Sequence, residues 1–234
     1  MIPLRDTIPR RTAPFITTLL ILVNIALFGY ELLQGARLEA FVRTFAFVPL
    51  RFFHPSLFPG WTFGASVITI FSAMFLHGGF MHLAGNMLFL WIFGDNVEDE
   101  LGHVRFLAFY LLAGLGATLL QAFLSPSSDI PNLGASGAIA GVLGAYFVLY
   151  PRARIVTLVP LFFLFPLIEI PAAIYLLFWF LMQFWMGSAS LTNAARHAAG
   201  GTAWWAHVGG FVAGLMLLPL LRPSRRPAPR YRLL

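Results

Sequence analysis

A chain of 234 residues that is 59% hydrophobic and only 10% charged, with a mean hydropathy of +0.81, is not an ordinary water-soluble domain, where roughly a quarter of residues are charged. All 15 basic residues are arginine, and the +6 balance gathers at the chain ends and in short turns beside apolar runs. That placement reads as membrane topology and contact with anionic lipid, and no nucleic-acid partner is expected. The sequence has no cysteine, which excludes disulfides, thiolate metal sites and a cysteine nucleophile together.

In chain order, apolar runs predict six spans near residues 14–33, 74–94, 104–124, 136–150, 171–187 and 203–221, judged against the roughly 20 residues that cross a hydrocarbon core about 30 Å thick. The charged start "MIPLRDTIPRRTAPF" leads into an apolar run without a small-residue cleavage pattern, so the first span is expected to be retained. Residues 34–73, with "FVPLRFFHPSLFPGWTF", are too apolar for a free linker and are expected at the outer interface. Residues 155–170, interrupted by Pro160 and Pro166 and followed by Pro171, are expected to form an interfacial piece before a short fifth span. An even number of spans puts both termini on one side. Arg5, Arg10, Arg11, Arg105, Arg152, Arg154, Arg222, Arg225, Arg226, Arg230 and Arg232 fall there, against Arg37, Arg43, Arg51 and Arg196 opposite, so both ends are expected in the cytoplasm. Residues 1–222 then read as a single membrane domain and residues 223–234 as a basic cytoplasmic tail.

Isolated polar groups fall near the outer ends of three spans. The second carries His82 and Asn86 in "HLAGN", the fourth begins at Ser136 in "GASG", and the sixth carries His207 in "AWWAHVGG". His82 and Asn86 share a helix face, offset by roughly 6 Å along the axis. An unpaired polar group in hydrocarbon costs several kcal/mol, so such side chains face protein or a water-filled cavity. A structural hydrogen bond between helices satisfies the same requirement, and for this pair alone the two readings stand side by side. The fourth span is bounded by Pro131 and Gly134 on one side and Pro151 on the other, and at about 1.5 Å per residue it is roughly 22 Å long. That is less than the hydrocarbon thickness, so Ser136 is expected at the bottom of a hydrated pit. On the fourth span Ser136, Ala140 and Gly144 form one stripe with Gly137 and Gly141 beside it, and the sixth presents Gly210 and Gly214 at the same spacing, small-residue faces that let helices approach closely. Packed together, they set His207 opposite Ser136. Each motif alone is an ordinary packing feature. Jointly they supply a hydroxyl, an imidazole and nearby N–H donors, the parts of an acyl-transfer site.

At these residues the chain resembles the rhomboid intramembrane serine proteases, over about residues 68–218. "HGGFMHLAGNMLFLWIFGDNVEDELG" is similar to the rhomboid second helix and the turn after it, "GASG" to the nucleophile motif, and "AHVGGFVAG" to the sixth helix with its histidine. The resemblance implies an all-α, six-transmembrane-helix bundle that cleaves single-pass or polytopic membrane proteins near the outer face of the bilayer, without cofactor or metal. It makes Ser136 the nucleophile and His207 the general base of a dyad with no carboxylate partner. His82, Asn86 and the Ser136 N–H become the oxyanion hole. Gly134 and Gly137 become the glycines that let backbone and substrate approach, and the fifth helix a mobile lateral gate. An inactive relative that binds transmembrane helices as adaptor or chaperone is the alternative. A small transporter is a third possibility, but the chain lacks the internal symmetry common in transporters.

Two departures stand out. Trp61 is followed by Thr62 where many rhomboids have Trp-Arg, and Ala140 stands where some have an aromatic residue against the histidine. Trp204 or Trp205 is expected to support His207 instead. His77 is read as a supporting contact and not a metal ligand, since its spacing from His82 suits no shared helix face and no HExxH motif is present. Asp95, Glu98, Asp99 and Glu100 are expected to pair with Arg105, Arg152 or Arg154 as a structural lock. His54, His103 and His197 are assigned to loops, and Glu169 to an interface. The composition suits a prokaryotic plasma membrane.

Overall fold

The computed structural model describes residues 1–160, 163–191 and 202–224. Arg196, His197 and the basic tail from residue 225 onward lie outside the described residues. The order is β1 (Ile2–Asp6), α1 (Phe15–Leu33), α2 (Leu38–Phe45), α3 (Pro49–Phe53), α4 (Phe63–Ser72), α5 (Phe80–Leu101), α6 (His103–Leu124), α7 (Ser136–Leu149), β2 (Arg154–Leu158), β3 (Leu167–Pro171), α8 (Ala172–Ser190) and α9 (Trp204–Leu221).

The chain is an integral, multi-pass membrane protein. Among the described residues, α1, α6, α8 and α9 are each long and apolar enough to cross a bilayer, and α4 with its 3-10 extension passes together with α5 but is bent from it by 81°. The second span, expected from residue 74, therefore begins at Phe80, because Gly78 and Gly79 break the helix and turn the chain. α7 has only 14 residues. At about 1.5 Å per residue it is roughly 21 Å long and falls short of a full crossing. Every residue from Gly137 to Tyr146 is buried, which explains why its sequence is apolar on all sides: α7 is the central helix, wrapped by the others.

Small residues make that central position possible. A Cβ at Gly210 would overlap the Gly137 carbonyl oxygen, and one at Gly214 the Gly141 carbonyl oxygen. Gly137 faces the Ala117 methyl and Gly141 the Ala113 methyl of α6. The matched offsets show α7 and α9 running parallel in backbone contact, with α6 antiparallel across both. Such contact gives helices the dispersion and shape fit that drive association in lipid.

The end of the bundle opposite Ser136 is closed by the acidic run of α5. Glu98, 1% exposed, accepts from the Ile16 N–H at 2.8 Å, the Thr17 N–H at 2.8 Å and the Thr17 hydroxyl at 2.7 Å, and contacts His103 Nδ1 at 2.5 Å. It thus satisfies the unpaired N–H groups in the first turn of α1 and lies at the positive end of that helix. Asp99 accepts from the Arg11 and Thr12 N–H groups at 2.6 and 3.0 Å. Glu100 bridges Arg11 and Arg222, both at 3.1 Å. The lock therefore ties the N-terminal segment, α5 and the end of α9. Among the described residues, no ion pair of this lock uses Arg105, Arg152 or Arg154. Arg154 instead lies 3.9 Å from Glu169, and His103 opens α6 rather than a loop. Glu98→Ala should strand several buried donors at once and destabilise by about 3 kcal/mol or more, read as a lowered Tm in detergent. Glu98→Gln, which keeps an acceptor, should lose less.

At the same end, residues 155–170, expected as an interfacial piece before the fifth span, contain paired strands. They carry β2 and most of β3, and β1 completes an antiparallel sheet in the order β1-β2-β3. Asp6, at the end of β1, accepts from Tyr146 Oη at 2.5 Å and Asn96 Nδ2 at 2.9 Å. Burial raises its pKa above the ordinary carboxylate value, opposed by the Tyr146 hydrogen bond.

At the other end, residues 34–73 fold into α2, α3 and α4. The Arg51 guanidinium lies 4.7 Å from the Trp61 ring and 5.5 Å from the Phe58 ring, and Trp61 Nε1 donates to Ser66 Oγ at 2.9 Å. An arginine ten positions upstream thus stacks on the tryptophan that Thr62 follows. Phe47 and Asn132 exchange backbone hydrogen bonds, and the Gly134 N–H donates to the Ala73 carbonyl at 2.8 Å, so this segment also holds the loop that delivers Ser136.

Candidate active site

Ser136 is the first residue of α7 and His207 lies in the first turn of α9. Because α7 and α9 run parallel with Gly137 against Gly210, their first turns lie side by side. His207 Nε2 stands 2.9 Å from Ser136 Oγ. The nitrogen on the far side of the ring, Nδ1, stands 2.7 Å from Gln183 Oε1 on α8. A carbonyl oxygen only accepts, so Nδ1 carries the proton and Nε2 offers its lone pair to the serine hydroxyl.

Gln183, 3% exposed, touches the His207 ring and is not marked by any of the motifs above. It is the only polar side chain between Leu176 and Gly187, so the search for isolated polar groups that singled out Asn86 applies to it equally. The support expected from Trp204 or Trp205 divides. The Trp204 ring stands edge-on to the imidazole at 6.1 Å, while Trp205 turns away to pack against Phe184. Trp179 of α8, at 5.9 Å, supplies a further aromatic face. Ala140 is fully buried, and its methyl would lie 3.2 Å from a Cβ at Gly210, which leaves no space there for an aromatic side chain.

His82 and Asn86 sit on α5 beside the serine loop. His82 Nδ1 accepts from the Gly78 N–H at 3.3 Å, so Nε2 carries the proton and is a donor. That edge of the ring lies against Gly134: a Cβ there would stand 2.8 Å from both Cε1 and Nε2 of His82 and 3.7 Å from Ser136 Oγ. Gly134 also has φ +124°, a conformation open to glycine and strained for other residues. Asn86 is buried, and its Nδ2 has no partner among the described residues. The buried His77 ring packs edge-on against His82 at 5.2 Å. A cavity of about 40 Å³ touches Ser136, Gly134, Asn132, Gln121 and Thr118, with room and polar lining for water. The place thus combines a hydroxyl, an imidazole with one ring nitrogen on that hydroxyl, and side-chain donors beside the start of a helix.

Residues 64–224 match the family model described as Rhomboid domain. Rhomboid protein 1, mitochondrial, of Saccharomyces cerevisiae is 32% identical over 161 residues, which are 64% of this chain and 41% of that protein. Rhomboid protease GluP of Bacillus subtilis is 49% identical over 70 residues, 30% of this chain and 13% of its own length. Presenilin-associated rhomboid-like protein, mitochondrial, of Bos taurus is 36% identical over 91 residues, 38% of this chain and 24% of that protein. The chain spans less than half the length of each of these relatives. With its apolar helices, its serine-to-imidazole contact and a family match over more than half its residues, this chain belongs to the rhomboid family.

Proposed function

We propose that the protein is an intramembrane serine endopeptidase that cuts transmembrane substrates near the outer membrane face through Ser136 and His207. The observation that carries this reading is the 2.9 Å contact between Ser136 Oγ and His207 Nε2, with the opposite nitrogen held as a donor. Ser136 Oγ attacks the scissile carbonyl carbon as its proton passes to His207 Nε2. The new oxyanion accepts from the Ser136 N–H, from His82 Nε2–H and from Asn86 Nδ2–H. Collapse breaks the peptide bond, and His207 returns the proton to the leaving amine. Water then loses a proton to His207 as it attacks the acyl ester, and the second collapse restores Ser136 and frees the acid. Arginine placement supports an orientation with the lock end and both termini cytoplasmic and the serine near the outer face. The prokaryotic plasma membrane suggested by composition gains no support from relatives named as mitochondrial.

The test is cleavage in proteoliposomes of a single-pass reporter with small residues near the outer end of its helix. Two fragments should form with the native chain and none with Ser136→Ala. Binding of the reporter without cleavage by the native chain would favour the adaptor reading. Gly134→Ala should push the His82 ring off its position and lower kcat by roughly 10²-fold, the order found on removing one oxyanion donor, measured on the same reporter.

A further inference from the structure

Resting on the protease reading, we infer that Gln183 is a positioning residue that makes the base conditional on the docking of α8, so that the serine is reactive only while this peripheral helix is seated. α8 is thinly attached. Its buried positions are Ala172, Tyr175, Leu176, Gln183 and Gly187, whereas Ile174, Leu177, Phe178, Leu181, Phe184 and Trp185 are exposed. Within that narrow stripe Gln183 provides the hydrogen bond to the site, with Phe180 on Phe211 at 4.8 Å and Gly187 under the Trp205 ring as its apolar neighbours.

A neutral imidazole has two tautomers, and only the one with its lone pair on Nε2 can take the Ser136 proton. Gln183 Oε1 at 2.7 Å selects that tautomer without adding charge. The bond also works in reverse. A side-chain amide in an apolar setting is costly without its partner, so His207 holds α8 in place as α8 holds the ring. Outward displacement of α8 takes the acceptor with it and leaves both tautomers available. Loosening α8 therefore slows the chemistry, the opposite of what a simple barrier to entry would do.

The experiment uses the full chain in detergent with three readouts: the rate at which a small fluorophosphonate labels Ser136, kcat and KM on the transmembrane reporter, and the ¹⁵N histidine spectrum, with His207 assigned from its loss in His207→Ala. Gln183→Leu should lower the labelling rate and kcat together by roughly 10- to 100-fold, the range for partners that orient a ligand or base, with KM little changed and the Nδ1–H signature replaced by a tautomer mixture. Gln183→Glu, which keeps an acceptor, should recover labelling to within a few-fold of the native chain. Gly187→Leu, whose side chain would meet the Trp205 ring where even a Cβ stands 3.1 Å away, should wedge α8 outward and slow labelling with Gln183 intact. An unchanged tautomer in Gln183→Leu, or faster labelling in Gly187→Leu, would overturn the inference. A native chain that neither labels nor cleaves would instead defeat the protease reading, with the tautomer spectrum still reporting on Gln183.

Discussion

Ser136→Ala should abolish cleavage while Tm in detergent stays within a few degrees of the native value, since the substitution removes one hydroxyl from the edge of a cavity and leaves the α7–α9 contact intact. His207→Ala should be nearly as severe. In the proposed mechanism nucleophile and base act as a unit, so either loss should lower kcat by about 10⁶-fold, and the double variant should be no worse than either single one. This non-additivity is the kinetic sign that the 2.9 Å contact is used in the reaction. Additive losses would mean that the two residues serve separate purposes.

The largest effect on stability is expected at Gly210 and Gly214. At both, a Cβ would coincide with a carbonyl oxygen of α7, from Gly137 and Gly141 respectively. Backbone cannot yield as a flexible side chain can, so Gly210→Val should separate α9 from α7 and cost more than about 4 kcal/mol, the range reserved for named core failures. Loss of the folded fraction in a thermal or protease-resistance assay should accompany it. Gly85→Ala is the matched control, because nothing lies within 4 Å of a Cβ there. It should leave the fold unchanged. Equal damage at both positions would argue against backbone contact between the two helices.

The residues of the site were readable because apolar spans make every polar group conspicuous. Ser136, His207, His82 and Asn86 each stand nearly alone among aliphatic neighbours, and the glycine spacing on two spans implied the parallel contact that joins them. Gln183 carried the same signal, but its partner lies on another helix 24 positions away, and no spacing within α8 points to it. Of the alternatives Trp204 and Trp205, Trp204 faces the ring, because adjacent residues of a helix point about 100° apart and only one of the pair can do so.

The misread parts share one cause: their partners are remote or are backbone. β1 pairs with β2 across most of the chain, Ile2 against Leu158. The β-branched run 155–157 is short and is followed by prolines that dominate the pattern. The acids of α5 find backbone N–H groups of the N-terminal segment more than 80 positions away, and such donors have no residue identity to read. The 81° bend before α5 was hidden by hydropathy, which is high on both sides of it.

The most direct measurement is mass-spectrometric mapping of a fluorophosphonate adduct on the 234-residue chain, native and His207→Ala. Chemistry through the dyad predicts one adduct, on the peptide containing Ser136, reduced to background when His207 is removed. An adduct elsewhere, or equal labelling of Ser136 without the imidazole, would contradict it.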